Sequence, residues 1–305
     1  MDLYKSIVEK SVTRNVLALQ DSLQQLAIAK KELYYDANRD ELNRKAYYKN
    51  IHPDTLDDKK MYQQLSEHLK KTHTRQLSYD EARRAYLYSR VDLQPNKMLK
   101  SIYSGEEFSP EKIIEADFKI KEEIIKRAGE QFSRMRNMNE VTFMNHLHFL
   151  EANATYNAEH SVPQSWFAKR DPMKADLHHL FTCETTCNEY RANIPFFDFP
   201  DSSKVSRPGC GKIEGNRFEP AQGHGAVARA TLYFLIRYPK EINNNLKEYT
   251  AAGIQILLKW HKEVTASPYE LHRNAEIFAV QGNRNPLIDH PEWGTKINFS
   301  LGLGN

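Results

Sequence analysis

The chain has 305 residues, of which 27% are charged, 40% hydrophobic and 11% aromatic, with a formal net charge of +3. That much apolar and aromatic material sustains a full core without disulfide or metal staples, which excludes wholesale disorder. A mean hydropathy of −0.71 and the lack of any apolar run near the ~20 residues of a membrane span exclude an integral helical membrane protein. A charge so close to neutral means that a polyanionic partner must be held by a local patch.

The first 16 residues carry no apolar segment of the secretory kind after the first Lys, so a cytoplasmic location is the expectation for the chain as written. Residues 1–45 read as helix, with Val16, Leu19, Leu23 and Leu26 forming an apolar stripe at three- and four-residue steps. A second helix follows Pro53, with Met61, Leu65 and Leu69 on one side. A third starts at Ser78, an N-cap with Glu81 at the capping-box position, and runs through Ala82, Ala85 and Tyr86. Between Lys70 and Lys100, eight Lys or Arg residues face three carboxylates. That stretch is either a solvated helix face or a phosphate-tracking surface.

Ser104-Gly105 and Ser109-Pro110 mark turns, after which 111–138 is charged and helical. From Val141 to Pro200 the helical periodicity is lost and His, Trp and Cys residues crowd together. Apolar residues almost all round mark a buried helix from Ala226 to Ile236, and another helix spans Ala251 to Val264. A length of 305 suggests about two domains, but no linker divides the chain. We read a helical extension over 1–45 packed on one domain over 46–305.

The irregular insert holds Glu159 beside His160, with Pro163 forcing a turn after them. A short apolar strand carrying His178 and His179 follows, and then a helix with Asn188 and Arg191 three apart on one face. Neighbours on a strand point to opposite sides, so Glu159 and His160 serve one site only if their strand ends or bends there. Such a set suits phosphodiester hydrolysis, which needs a base, a hard cation and a donor to the phosphate oxygens. His160 is basic near neutral pH. Glu159 and the Asn188 carbonyl are oxygen ligands suited to Mg2+, and Arg191 can fork onto phosphate.

The words EHSVPQSWF (159–167), DLHHLF (176–181), CNEYRANIPFF (187–197) and QGNRNPLIDHPEW (281–293), in this order, resemble the endonuclease I family of ββα-metal (His-Me finger) nucleases. Gly225-Ala-Val-Ala-Arg229 and the stretch from Tyr47-Tyr48 to Tyr103-Ser104-Gly105 extend the resemblance over roughly 34–293. It implies an α+β, mostly α-helical fold in which a short antiparallel hairpin and a helix, at about 153–197, are surrounded by helices. It further implies His160 as general base and Glu159 and Asn188 as ligands of one Mg2+, for which Mn2+ or Ca2+ can substitute. Arg191 and Asn193 would orient the site or touch the scissile phosphate, and Gln281, Asn283 and Asn285 would support it. The family's additional phosphate-steadying arginine falls to Lys169, Arg170 or Arg191.

The expected activity is endonucleolytic hydrolysis of DNA, with RNA left open, giving 5′-phosphate and 3′-hydroxyl ends. A monomer free of membranes is expected, and by resemblance an extracellular or periplasmic location. The alternative is a catalytically silent nucleic-acid-binding protein that keeps the fold. The three cysteines leave several readings: a Cys187–Cys210 or Cys183–Cys210 disulfide, reduced buried thiols, or a zinc site of Cys183, Cys187 and Cys210 with His178 and His179. Apart from His160, the histidines of the insert, His146 and His148 included, are expected as hydrogen-bonded core residues.

Overall fold

The structure, a computed structural model, describes residues 3–132, 140–152, 157–200, 209–243 and 249–304. Residues 133–138 of the expected charged helix, Tyr156 and Pro208 lie outside these, as does the side chain of His148. The described residues are mostly helical, with three small antiparallel hairpins.

Helix α1 (Leu3–Lys31) packs along α5 (Pro110–Phe132). Leu19, Leu23 and Leu26 of the expected stripe face the apolar core, and the stripe fails at Val16. Leu26 and Ala29 are inside, but Val16 is 43% exposed while the polar Asn15 is buried. Asn15 Nδ2 donates to Phe118 O (3.0 Å) and its Oδ1 accepts from Arg84 Nη1 (3.1 Å), so a satisfied amide occupies the place a valine was expected to fill. Helix α2 (Ala37–Tyr47) is capped by Asp36 and α3 (Asp58–Thr72) by Asp57, each accepting from the third following amide. As expected, Met61, Leu65 and Leu69 are buried.

Helix α4 begins as Tyr79–Glu81 and continues π-wound through Ala82–Val91. Ser78 Oγ accepts from Glu81 N, as expected of the N-cap, but the Glu81 carboxylate turns to Arg75 (2.6 Å). The structure dissolves the basic patch between Lys70 and Lys100. Arg83 and Arg84 are buried and share Asp117 of α5 and Asp80. Arg90 pairs with Glu276 and Glu32. These three guanidiniums are ties within the fold and are withdrawn from a phosphate-tracking surface.

Helix α8 (His224–Arg237) runs through the larger apolar cluster, buried almost all round, with α9 (Ala251–Glu263) and α3 against it. A second cluster lies between α1, α4 and α5. Strands β1 (Leu99–Lys100) and β2 (Glu107–Phe108) form one hairpin. After α6 (Glu140–Ala152), β3 (Ala158–His160) and β4 (Leu180–Thr182) form the next, at the seam of the two clusters. Ala158 and Leu180 belong to the second cluster and Phe181 to the first, the alternation that a strand imposes. Helix α7 (Thr185–Arg191) follows directly. Strands β5 (Gly211–Ile213) and β6 (Phe218–Pro220) lead to α8, and α10 (Pro268–Gln281) and α11 (Pro286–Asp289) precede the C-terminal turns.

One expectation about the hairpin fails. His178 and His179 are not on the strand; Leu177–His179 is a 3-10 turn and the strand starts at Leu180. The cause is Asp176, whose Oδ1 accepts from the His178 amide and caps that turn.

Candidate active site

Strand β3 ends at His160, which meets the condition under which Glu159 and His160 can serve one site. Their side chains reach different neighbours. Glu159 is buried, and its Oε1 accepts from Tyr103 Oη (2.7 Å) and Arg191 Nη1 (3.0 Å). Burial pushes the Glu159 carboxyl up, opposed by the Arg191 charge and the Tyr103 hydroxyl.

His160 is also buried. Its Nε2 lies 2.9 Å from Lys174 O, an acceptor only, so Nε2 carries the proton and the lone pair is on Nδ1. Gln164 Nε2 donates to that Nδ1 at 3.2 Å. Burial pushes the imidazole well below its ordinary value, helped by the nearby His179, Lys174 and Arg191. A neutral imidazole with its accepting nitrogen defined by a backbone carbonyl is equipped to take a proton. The Tyr79 ring stands 5.3 Å from it.

Helix α7 lies on β3 through two side chains. Asn188 Nδ2 donates to Ala158 O (3.0 Å), which leaves its Oδ1 uncommitted by that bond. Arg191 is 1% exposed and donates to Glu159, to His160 O (3.1 Å) and to Ser161 O (2.9 Å). A guanidinium so engaged braces the hairpin from behind and does not reach outward to fork a phosphate. Asn193 is exposed after α7, and no hydrogen bond ties it to the hairpin. The structure thus brings Glu159, His160, Asn188 and Arg191 together and leaves Asn193 aside. Arg170 pairs with Glu241, and Lys169 is exposed.

Cys187 and Cys210 are disulfide-bonded, which ties α7 to the start of β5, and Cys183 is a buried free thiol. Among the described residues, the group of three His, Cys or acidic side chains close enough to hold a metal is Glu184, Cys187 and Cys210, and the disulfide consumes both sulfurs. His178 and His179 bond elsewhere, to Asn283 O and Met173 O. The zinc reading therefore falls. The oxygen pair of Glu159 and Asn188 matches a hard cation that keeps most of its waters, so the donor set fits Mg2+.

Strand β4 is held from outside. Asp176 accepts from Tyr233 (2.7 Å), Tyr238 (2.9 Å), Gln281 (3.0 Å) and the His178 amide. Burial alone would raise its carboxyl; the imidazoles of His73, His178 and His179 and the Gln281 amide more than offset this and hold it below the carboxylate range. Asp92 accepts from Thr182 N, and Arg273 donates to Leu177 O and Leu180 O. Asn283 donates to Tyr233 Oη and Asn285 to Arg229 O. Gln281, Asn283 and Asn285 are thus buried supports of β4 and α8. Tyr103 and Gln164 were not singled out from the sequence, although both stand in words that carry the resemblance, YSG and EHSVPQ.

The Endonuclease I family model matches residues 58–292. The chain belongs to the Endonuclease I family. The match spans β3, β4 and α7 with their supports. Among relatives, the chain is similar to the extracellular ribonuclease of Bacillus amyloliquefaciens, 34% identical over 156 residues, covering 47% of this chain and 53% of that protein. It is also similar to the periplasmic deoxyribonuclease of Aeromonas hydrophila, 30% identical over 128 residues, covering 40% and 50%. Endonuclease-1 of Buchnera aphidicola is 28% identical over 121 residues, covering 38% and 46%. The chain spans about half the length of the curated relatives it matches.

Proposed function

We propose that this chain is a metal-dependent, largely sequence-nonspecific endonuclease of the ββα-metal (His-Me finger) kind, acting on DNA and in second place on RNA. The observation that carries the reading is the unit of β3, β4 and α7, where Glu159 and His160 end the strand and Asn188 and Arg191 lie on it. Family membership supports the nuclease reading, and the relatives' names are divided between ribonuclease and deoxyribonuclease.

In this reading His160 Nδ1 takes a proton from a water that attacks phosphorus, once Gln164 has yielded its place. Lys174 O holds Nε2–H throughout, so the ring keeps its orientation as it becomes charged. Glu159 Oε2 and Asn188 Oδ1 would hold Mg2+, with Mn2+ or Ca2+ able to substitute. A hard cation bound there supplies charge neutralisation at the phosphate and the departing 3′ oxygen. Arg191 opposes the effect of burial on the Glu159 carboxyl and keeps the hairpin end in register. The products carry 5′-phosphate and 3′-hydroxyl ends. The chain acts as a monomer, and the Cys187–Cys210 bridge favours an oxidising, extracellular or periplasmic setting.

The test is incubation with supercoiled plasmid and with a structureless RNA, each with Mg2+ and with EDTA, followed by end labelling. We expect EDTA-sensitive nicking whose 5′ ends need phosphatase before kinase labelling. Nucleic-acid binding without cleavage under every metal would replace this reading with that of a silent binding protein.

A further inference from the structure

Tyr103 occupies a place that no step above uses. It lies in the turn between β1 and β2, and Ile102 N donates to Thr182 O (3.0 Å), which fastens this turn to the outer edge of β4. Gly105 completes the turn at φ +73, a conformation that calls for glycine. The Tyr103 ring is fully buried between Phe218 (centroids 5.1 Å apart) and Phe196 (6.5 Å). Its hydroxyl donates to Glu159.

Both side-chain donors to Glu159, from Tyr103 and Arg191, fall on the same oxygen, Oε1. A carboxylate pinned through one oxygen by two donors from different elements has its plane set and turns Oε2 to a further partner. Buried partners of this kind orient metal-binding carboxylates and tune their affinity. We propose that Tyr103 is a positioning residue that holds Glu159 so that Oε2 is presented to the divalent cation. The inference rests on the reading of Glu159 as a metal ligand.

The Tyr103 hydroxyl spends its proton on Glu159 Oε1. Arg191 already gives Nη1 to the same oxygen, and its Nη1 is shared with His160 O while Nη2 is held by Ser161 O. Removing the hydroxyl leaves the ring packing in place and Glu159 with a single side-chain restraint.

The experiment measures Mn2+ binding by the electron paramagnetic resonance of free Mn2+, without nucleic acid, for wild type, Tyr103→Phe, Glu159→Gln and Phe218→Leu, with thermal melting of each. Tyr103→Phe should weaken Mn2+ affinity on the order of tenfold while melting close to wild type. Glu159→Gln should lose binding. Phe218→Leu, which loosens the ring without touching the hydroxyl, should lower the melting temperature and keep the affinity. Wild-type affinity in Tyr103→Phe together with loss in Glu159→Gln would overturn the role of Tyr103 alone. Equal weakening in Phe218→Leu would reduce Tyr103 to packing and overturn the proposal. Should Tyr103→Phe fail to fold, unaltered affinity in Phe218→Leu with a lowered melting temperature still supports it, and weakened affinity there overturns it. Absence of Mn2+ binding by wild type would overturn the metal reading of the site, and this inference with it.

Discussion

Arg191 lies behind Glu159: Nη1 is 3.0 Å from Oε1, and the guanidinium is 1% exposed. The same nitrogen reaches His160 O, so one cation ties the end of β3 to α7 and opposes the effect of burial on the carboxyl. Removing one partner of such a pair strands the other. Arg191→Ala should cost about 3–5 kcal/mol of stability, read as a lowered urea midpoint. Arg191→Lys, without the planar fork, should keep part of that stability but lose activity at least about tenfold. A wild-type midpoint for Arg191→Ala would contradict the bracing role.

The pH dependence of cleavage follows from the state of His160. Its imidazole is pushed well below its ordinary value by burial and by the cationic neighbours His179, Lys174 and Arg191. The base is therefore already neutral where an ordinary histidine, at about 6.5, would be half charged. Activity should hold from neutral pH through 6.5 and fall only as pH drops through the lowered value. Rates of plasmid nicking at constant ionic strength check this; an acid limb above pH 7 would contradict it.

Stability should fall on acidification before the carboxylates titrate. Burial pushes His178 down to about 4 despite Asp176. The unfolded chain takes up this proton near ~6.5, whereas the folded one resists until about 4. The contribution is thus fully present above ~6.5 and is lost as pH falls to about 4, amounting to about 3 kcal/mol at most. Urea midpoints at pH 7.5 and 4.5 read it, and His178→Gln should flatten the difference.

The Cys187–Cys210 bridge closes a loop with a sequence separation of 23 and holds the residue next to Asn188. Its loss, in a Cys187→Ala/Cys210→Ala variant, should cost about 3 kcal/mol and weaken activity by loosening α7. Calorimetric melting with parallel nicking rates checks both. An unchanged melting temperature would place the strength of α7 elsewhere.

Ala192 ends α7 with φ 52 and ψ −127, a conformation that favours glycine. Ala192→Gly should stabilise the protein by about 1 kcal/mol, seen as a higher urea midpoint with activity retained.

Local signals in the chain were legible where partners are near in sequence. Met61, Leu65 and Leu69 report their own buried face, Ser78 reports its own cap, and the all-round apolar run after Ala226 reports a core helix. Glu159, His160, Asn188 and Arg191 sit in short words whose spacing reflects a strand end and one helix face, so their grouping was readable too. The basic stretch leaves two readings open in the sequence because carboxylates that pair its arginines are distant: Asp117 for Arg83 and Arg84, and Glu276 for Arg90. The stripe of α1 holds at Leu19, Leu23 and Leu26 but breaks at Val16, because Phe118 and Arg84, distant in sequence, make Asn15 the interior residue there. His178 and His179 were set on a strand because the capping by Asp176 was weighed less than the apolar run around them. Strands as short as β5 and β6 carry too few residues for a periodic pattern.

The central claim is that His160 is the base of a metal-dependent phosphodiester cleavage. Its most direct measurement is the rate of supercoiled plasmid nicking in Mg2+ by wild type and by His160→Ala, with Mn2+ binding and melting recorded for both. We expect the variant to fold and bind metal while its rate falls by on the order of 10²–10⁴-fold. Nicking at the wild-type rate by a folded His160→Ala would contradict the account.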